Sequence, residues 1–235
     1  MKKKISVIIG GSKGHGYEII RELKKRGDYI INISRTINKN ANENINVNLN
    51  KSSFLKILKK KIKSRKINSI VFSQKYRGND FNEEIQVMVK ASIDIIDLFK
   101  KNFNLNSSVV FLSSIAIKTI ADQNINYYIS QASRDIISKY FAIKFKKNKV
   151  RFNTILPSRV IKRENENFFK KNKKVRDKLI KINPLNNIPT SKDTAMLVDF
   201  LTSDKSKMIN GETISVDGGL NLYGQEQLIN DFLKK

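Results

Sequence analysis

Five residues, Ile5-Ser6-Val7-Ile8-Ile9, run without a charge and stop at Gly10-Gly11-Ser12-Lys13-Gly14-His15-Gly16. A short apolar run that ends in glycines reads as a buried parallel strand. Beyond the glycines, Tyr17, Ile19, Ile20 and Leu23 recur at helical spacing until Gly27-Asp28, and Tyr29 to Ile33 forms a second apolar run ending at Ser34-Arg35. Strand, glycine turn, helix and strand in that order leave few folds open, because two parallel neighbours need a crossover of fixed hand. Glycines at such a turn let the backbone approach a pyrophosphate, and the helix start adds N–H groups and a positive dipole end. The placement of the glycines between strand and helix gives the signal its weight.

The rest of the chain repeats the alternation. Thr36 to Asn50 is Asn-rich around a short strand at Ile45-Asn46-Val47. Phe54, Leu55, Leu58 and Ile62 make one face of a helix whose solvated face is Lys56, Lys59, Lys60 and Lys63. Ser69 to Ser73 is a fourth strand, helical periodicity returns from Phe81 to Phe99, and Ser108 to Leu112 is a fifth strand that delivers Ser113 and Ser114. A long helix runs from Tyr127 to Phe145, with Ile129, Ile136, Ile137, Tyr140 and Phe141 as its apolar positions. Arg151 to Leu156 is a sixth strand, halted by Pro157. A basic, partly helical excursion from Phe168 to Ile182 follows, then a helix from Thr194 to Leu201 and a last strand, Thr213 to Val216. No repeat or linker interrupts the series. The pattern predicts a single domain over 1–235: an α/β, Rossmann-type, doubly wound parallel sheet of about seven strands with helices on both faces.

Composition narrows the function classes. The chain of 235 residues carries 46 Lys and Arg against 21 Asp and Glu, a formal charge of +25. That balance invites a nucleic-acid reading. Against it, Lys, Asn and Ile are abundant everywhere, and aromatics are not interleaved with the basic runs as stacking platforms require. The inference retained is that anionic ligands are welcome and nucleic acid is not the partner. Zero cysteines excludes disulfides and thiolate metal sites, no metal site is expected, and a cytoplasmic location is the default. No apolar run approaches the roughly 20 residues of a membrane span. Met1-Lys2-Lys3-Lys4 is charged like the start of a signal peptide, but the apolar run after it is short and ends in glycines, which predicts a strand.

Four features together carry a family likeness: Gly10-x3-Gly14-x-Gly16; Ser114 followed by Tyr127, 127 − 114 = 13 positions on; Arg151-Phe152-Asn153-Thr154-Ile155-Leu156-Pro157; and Asn210-Gly211-Glu212 through Val216-Asp217-Gly218-Gly219. Over essentially its whole length the chain resembles the short-chain dehydrogenase/reductase family. The resemblance implies a bound nicotinamide cofactor, a small-molecule carbonyl substrate and a homodimer or homotetramer. Gly10, Ser12, Lys13, Gly14 and Gly16 are the implied cofactor contacts, with Ser34 and Arg35 at the end of the second strand. An Asp at that strand end accepts from both ribose hydroxyls and repels a 2′-phosphate; Ser34-Arg35, with Lys13 opposite, favours NADP over NAD.

In the family the serine holds the substrate oxygen, the tyrosine is general acid/base, and a lysine one turn later binds the nicotinamide ribose and assists the tyrosine. Ser114 and Tyr127 match, but the lysine position is Gln131, which carries no charge. Met88 stands at the place of a helix asparagine, Phe72-Ser73-Gln74-Lys75 replaces the usual Asn-Asn-Ala-Gly, and Asn48 replaces an acid after the third strand. Gln131 retains hydrogen-bonding capacity toward a ribose. Arg134, on a similar helical face seven residues after Tyr127, is a source of charge at longer range. Tyr128 has Ala132 four residues on and fits the acid role less well, and His15 stands where the family carries an aliphatic residue. The basic stretch near 158–190, with Lys162-Arg163, Phe168-Phe169 and Lys170 to Lys181, falls where the family places a mobile lid, and its charge suits an anionic substrate. Val71 to Gly78 is similar to a bacterial branch of surface-sugar pathways. The resemblance thus implies an NADP-dependent reductase of a carbonyl or sugar-derived substrate; the alternative is a catalytically impaired, nucleotide-binding partner or regulatory subunit.

Overall fold

The computed structural model describes residues 3–233; Met1 and Lys2 of the basic start lie outside them. Seven strands form one sheet: β1 (Ile5–Ile9), β2 (Tyr29–Ser34), β3 (Glu43–Asn46), β4 (Ile67–Phe72), β5 (Phe103–Leu112), β6 (Arg151–Pro157) and β7 (Thr213–Val216). Their order is β3-β2-β1-β4-β5-β6-β7, and every pairing is parallel. The order reverses between β1 and β4, the kind of switch point at which α/β sheets open a crevice beyond their strand ends.

Pleating splits the buried residues between two layers. From β1, Val7 and Ile9 pack into one core with Phe54, Leu58 and Phe72, while Ile8 packs into the other with Ile19, Ile20 and Val198. The first core lies under α2 (Phe54–Ile62), α4 (Ala91–Phe99) and α5 (Ile125–Lys144). The second lies under α1 (Gly14–Lys25) and α8 (Ser191–Leu201). Phe72 and Phe111, side by side on β4 and β5, stack at 4.6 Å and 10°, a pair worth about 0.5–1.5 kcal/mol beyond its buried area.

Beyond shifts of two or three residues at element ends, the structure departs from the sequence pattern in four places. β5 begins at Phe103 instead of Ser108, because Phe103 pairs with Ile67 before the register shifts. The helical stretch from Phe81 is not continuous: α3 (Phe81–Ile85) passes into one π turn, Gln86–Lys90, before α4. A helix at the C-terminal end, α9 (Gln225–Leu233), had no counterpart in the pattern. On α5, Ile137 and Phe141 are buried as expected, whereas Ile129, Ile136 and Tyr140 face solvent. The inner face of α5 instead carries Ser130, Gln131, Arg134 and Ser138, which is why apolar periodicity misreads it.

The later motifs are structural ties. Asn153 on β6 accepts from the Glu212 N–H at 3.0 Å and donates to the Ile209 carbonyl at 3.0 Å. Asn210 accepts from the Phe152 N–H at 2.9 Å and donates to the Ala142 carbonyl at 3.2 Å. These two asparagines lock the approach to β7 against β6 and α5. At the far end Gly218 sits at φ +67° with Asn183 packed where a Cβ would go, and Asn183 donates to the Asp217 carbonyl at 2.8 Å. That contact joins the end of β7 to the segment that follows α6 (Glu166–Lys171) and α7 (Lys173–Lys181).

Candidate functional site

At the switch point, beyond the carboxyl ends of β1, β4 and β5, a cleft encloses ≈ 130 Å³. The glycine turn forms one wall. Gly10 adopts φ +83°, and a Cβ there would come within 2.5 Å of the Gln74 backbone, so only glycine admits both conformation and contact. A Cβ at Gly16 would collide with the Gly10 carbonyl oxygen. Asparagines fix the turn between them: Asn32 accepts from the Gly11 N–H at 3.1 Å, and Asn38 donates to the Gly11 carbonyl at 2.7 Å. The Asn-rich stretch after β2 is therefore a set of braces, with Asn44 accepting from Asn32 at 2.8 Å and from the Asn38 N–H at 2.8 Å.

Gly14, at φ +56°, opens α1 under free space bounded by the Lys162 side chain. Its N–H donates to a Glu164 carboxylate oxygen at 2.7 Å. The first amide of the helix thus already holds an anionic oxygen, as exposed helix starts do. Lys13 beside it is exposed and has no carboxylate partner among the described residues. Clearance, amide and cation suit a phosphate-bearing cofactor. Ser12 is half-buried in the turn, and Arg35 is exposed at the end of β2. The Ser34 hydroxyl is buried, donating to the Thr36 carbonyl and accepting from Asn32 at 3.1 Å. Neither Ser34 nor Arg35 lines the cleft.

The opposite wall is built from β5 and α5. Ser114 lines the cleft and its oxygen accepts from the Ala116 N–H at 3.2 Å, while Ser113 donates to the Gln131 carbonyl at 2.9 Å and so ties β5 to α5. Asn124 caps α5, and Tyr127 and Gln131, one turn apart, line the same cleft as Ser114. Tyr128 is turned away: its hydroxyl donates to the Ala121 carbonyl at 2.5 Å and accepts from the Ala121 N–H at 2.6 Å. Tyr127 instead has the Lys75 amine over its ring, 5.3 Å from the centroid.

Arg134 has no counterpart in the glycine wall. It is 1% exposed, yet no carboxylate among the described residues pairs with it. Its guanidinium donates to the Leu112 carbonyl, to the Gln74 carbonyl at 3.0 Å and to Met88 Sδ at 3.5 Å, while Nε has no partner. Burial pushes it down to about 9, and the charges of Tyr127 and Glu84 act to raise it, so it stays a cation at neutral pH. The π turn completes this network. Gln74 donates to the Val87 carbonyl at 3.2 Å and to Ser92 Oγ at 3.0 Å, and Met88 of the same turn is buried against Arg134. Gln74, Met88 and Arg134 are thus one packed unit, legible in sequence only as separate positions. Glu84, the acid whose charge acts on Arg134, accepts from Ser130 Oγ at 2.7 Å.

His15 lines the cleft with Nδ1 unpartnered. Burial first, then the charges of Lys162 and Lys75, lower it to about 3, so the imidazole is neutral across the physiological range.

Comparisons with known proteins match the chain as a whole. A family model described as Enoyl-(Acyl carrier protein) reductase matches residues 68–221. The 3-oxoacyl-(acyl-carrier-protein) reductase FabG of Rickettsia conorii is 26% identical over 235 residues, covering 92% of this chain and 96% of its own length. A tropinone reductase homologue of Arabidopsis thaliana is 28% identical over 152 residues; the match spans 63% of this chain and 57% of that relative. Among solved structures, a short-chain dehydrogenase family protein from Francisella tularensis superposes with a TM-score of 0.82 at 25% identity, covering 94% of this chain and 100% of the other. ElxO, solved with NADP bound, superposes with a TM-score of 0.82 at 19% identity, covering 94% and 100%, which speaks to fold. No helix among the described residues is long and apolar enough to cross a membrane.

Proposed function

The chain belongs to the short-chain dehydrogenase/reductase family of oxidoreductases, and from that premise we propose that it reduces a small, sugar-derived carbonyl compound with NADPH. The cofactor supplies the hydride when bound. Gly10, Ser12, Lys13, Gly14 and Gly16 hold its phosphates in this reading, with Arg35 at the ribose edge and Gln131 as a ribose hydrogen-bond partner. Lys13 and Arg35, with no acid at the end of β2, support NADP over NAD. Ser114 donates to the substrate oxygen and fixes its position, and Tyr127 delivers the proton to that oxygen as its charge grows. Segment 158–190 covers the site as a lid, excluding water. The exposed Ile129, Ile136, Tyr140 and Ile143 on α5 support a homodimer or homotetramer.

One observation carries the catalytic reading over a non-catalytic descendant: the buried cation of Arg134, which forms no ion pair among the described residues and lines the same cleft as Tyr127 and Gln131. A tyrosine that gives up its proton becomes an anion, and a fixed positive charge in a low-dielectric site stabilises that anion at no cost in reorganisation. Taking a guanidinium out of water without an acid costs several kcal/mol. Such a charge fits a site that develops negative charge during turnover.

The test is NADPH binding by fluorescence, followed by turnover on a carbonyl panel. Wild type binds and turns over; Tyr127→Phe binds NADPH equally and loses about 10²–10⁴-fold in kcat, the range of a removed general acid. Tight binding without turnover in the wild type overturns the reading in favour of the regulatory one.

A further inference from the structure

Three cations line the cleft without a carboxylate partner among the described residues: Lys75 and Arg77 from the loop after β4, and Lys162 from the segment after β6. They are close enough to disfavour one another's charge. Desolvation lowers Lys75, open though it is on one side, and Arg77 lowers it further. For half-buried Lys162, burial acts first and Lys75 second. Two acids act against that repulsion, Glu84 on Lys75 and Glu164 on Lys162, but neither forms an ion pair with the cluster among the described residues and neither lines the cleft. His15, neutral, adds no charge, while buried Arg134 adds another positive one from below. A wall of like charges held together is relieved by an anion placed among them.

Position says whose anion it is. Lys13 already serves the glycine turn. Lys75 lies over the face of the Tyr127 ring, 5.3 Å from its centroid, on the wall of the cleft that carries Tyr127 and not in the glycine turn. We propose that Lys75, Arg77 and Lys162 form a subsite for an anionic group, phosphate or carboxylate, carried by the substrate near its reacting carbonyl. This rests on the reductase reading above and makes it more specific. Lys75 and Arg77 take the anion from one side, and Lys162 closes on it from the segment that covers the cleft. The subsite then selects phosphorylated or acidic carbonyl compounds over neutral ones of the same size.

Calorimetry on the protein saturated with NADPH, and on the protein alone, tests this with two matched pairs that cannot be reduced: glycerol 3-phosphate against glycerol, and 3-hydroxybutyrate against its methyl ester. The anionic member of at least one pair binds about tenfold more tightly than its neutral partner, less so in 0.5 M salt, as expected for charge-assisted contacts. The first pair reports a phosphate and the second a carboxylate. Lys75→Met and Arg77→Met each erase most of that preference while changing the NADPH Kd less than about twofold. Equal binding of both members of both pairs overturns the proposal. So does a loss of NADPH affinity in the two variants that matches the loss of anion affinity, because the cluster then serves the cofactor. Absent turnover with the anion preference intact sinks the reductase reading and leaves the subsite standing; turnover without the preference does the reverse.

Discussion

The two walls of the cleft are built on opposite principles. In the glycine wall the backbone of the turn is braced from behind: Asn32 and Asn38 hold Gly11, Asn44 holds both asparagines, and Gly10 and Gly16 leave no room for a Cβ. In the tyrosine wall the charges are left open, with Arg134 buried without an acid and Lys75 set over Tyr127. The first wall is shaped by backbone conformation, the second by electrostatic demand. A surface made only to bind can satisfy itself in advance; a surface on which charge develops must keep its counter-charge unpaired until that moment.

Breaking the glycine wall has the larger effect. Gly10→Ala forces a side chain into φ +83° and against the Gln74 backbone, costing on the order of 1–3 kcal/mol in strain. Its thermal midpoint falls by several degrees, and NADPH affinity measured by fluorescence falls at least about tenfold, because the turn can no longer approach the phosphates. The smallest effect belongs to His15. Held near 3 by burial and by Lys162 and Lys75, it does not titrate between pH 5 and 9, so His15→Asn leaves the shape of the pH–rate profile unchanged. A limb near pH 6 that vanishes in this variant would show that the imidazole is charged during turnover.

Much of the first wall was legible in the sequence, because local rules write it: glycines at a strand end, helical spacing after them, a second apolar run. Ser114 and Tyr127 were legible through the family resemblance, and the structure brings both to one cleft with Gln131. The second wall was not legible as a unit. Gln74, Met88 and Arg134 are far apart in sequence and meet through a π turn at Gln86–Lys90 that no periodicity announces. The braces were hidden for a similar reason, since an Asn-rich stretch reads as loop until its partners are known. α5 misled apolar counting because its inner face is polar where it meets the site, and its isoleucines point out. The one available signal was a basic residue two turns after a tyrosine whose usual cation is missing.

The account depends most on Arg134, and the pH–rate profile of three variants tests it directly. Arg134→Met removes the charge, Arg134→Lys keeps it, and Arg134→Met with Gln131→Lys moves it one turn closer to Tyr127. If the buried cation supports proton delivery at Tyr127, Arg134→Met loses about 10–100-fold in kcat, roughly 1.4–2.7 kcal/mol of lost charge stabilisation, and its pH–rate profile departs from that of the wild type. Arg134→Lys and the double variant recover the wild-type profile in large part. A folded Arg134→Met protein with an unshifted profile would contradict the claim, leaving Arg134 as a brace between Leu112 and Gln74 and nothing more.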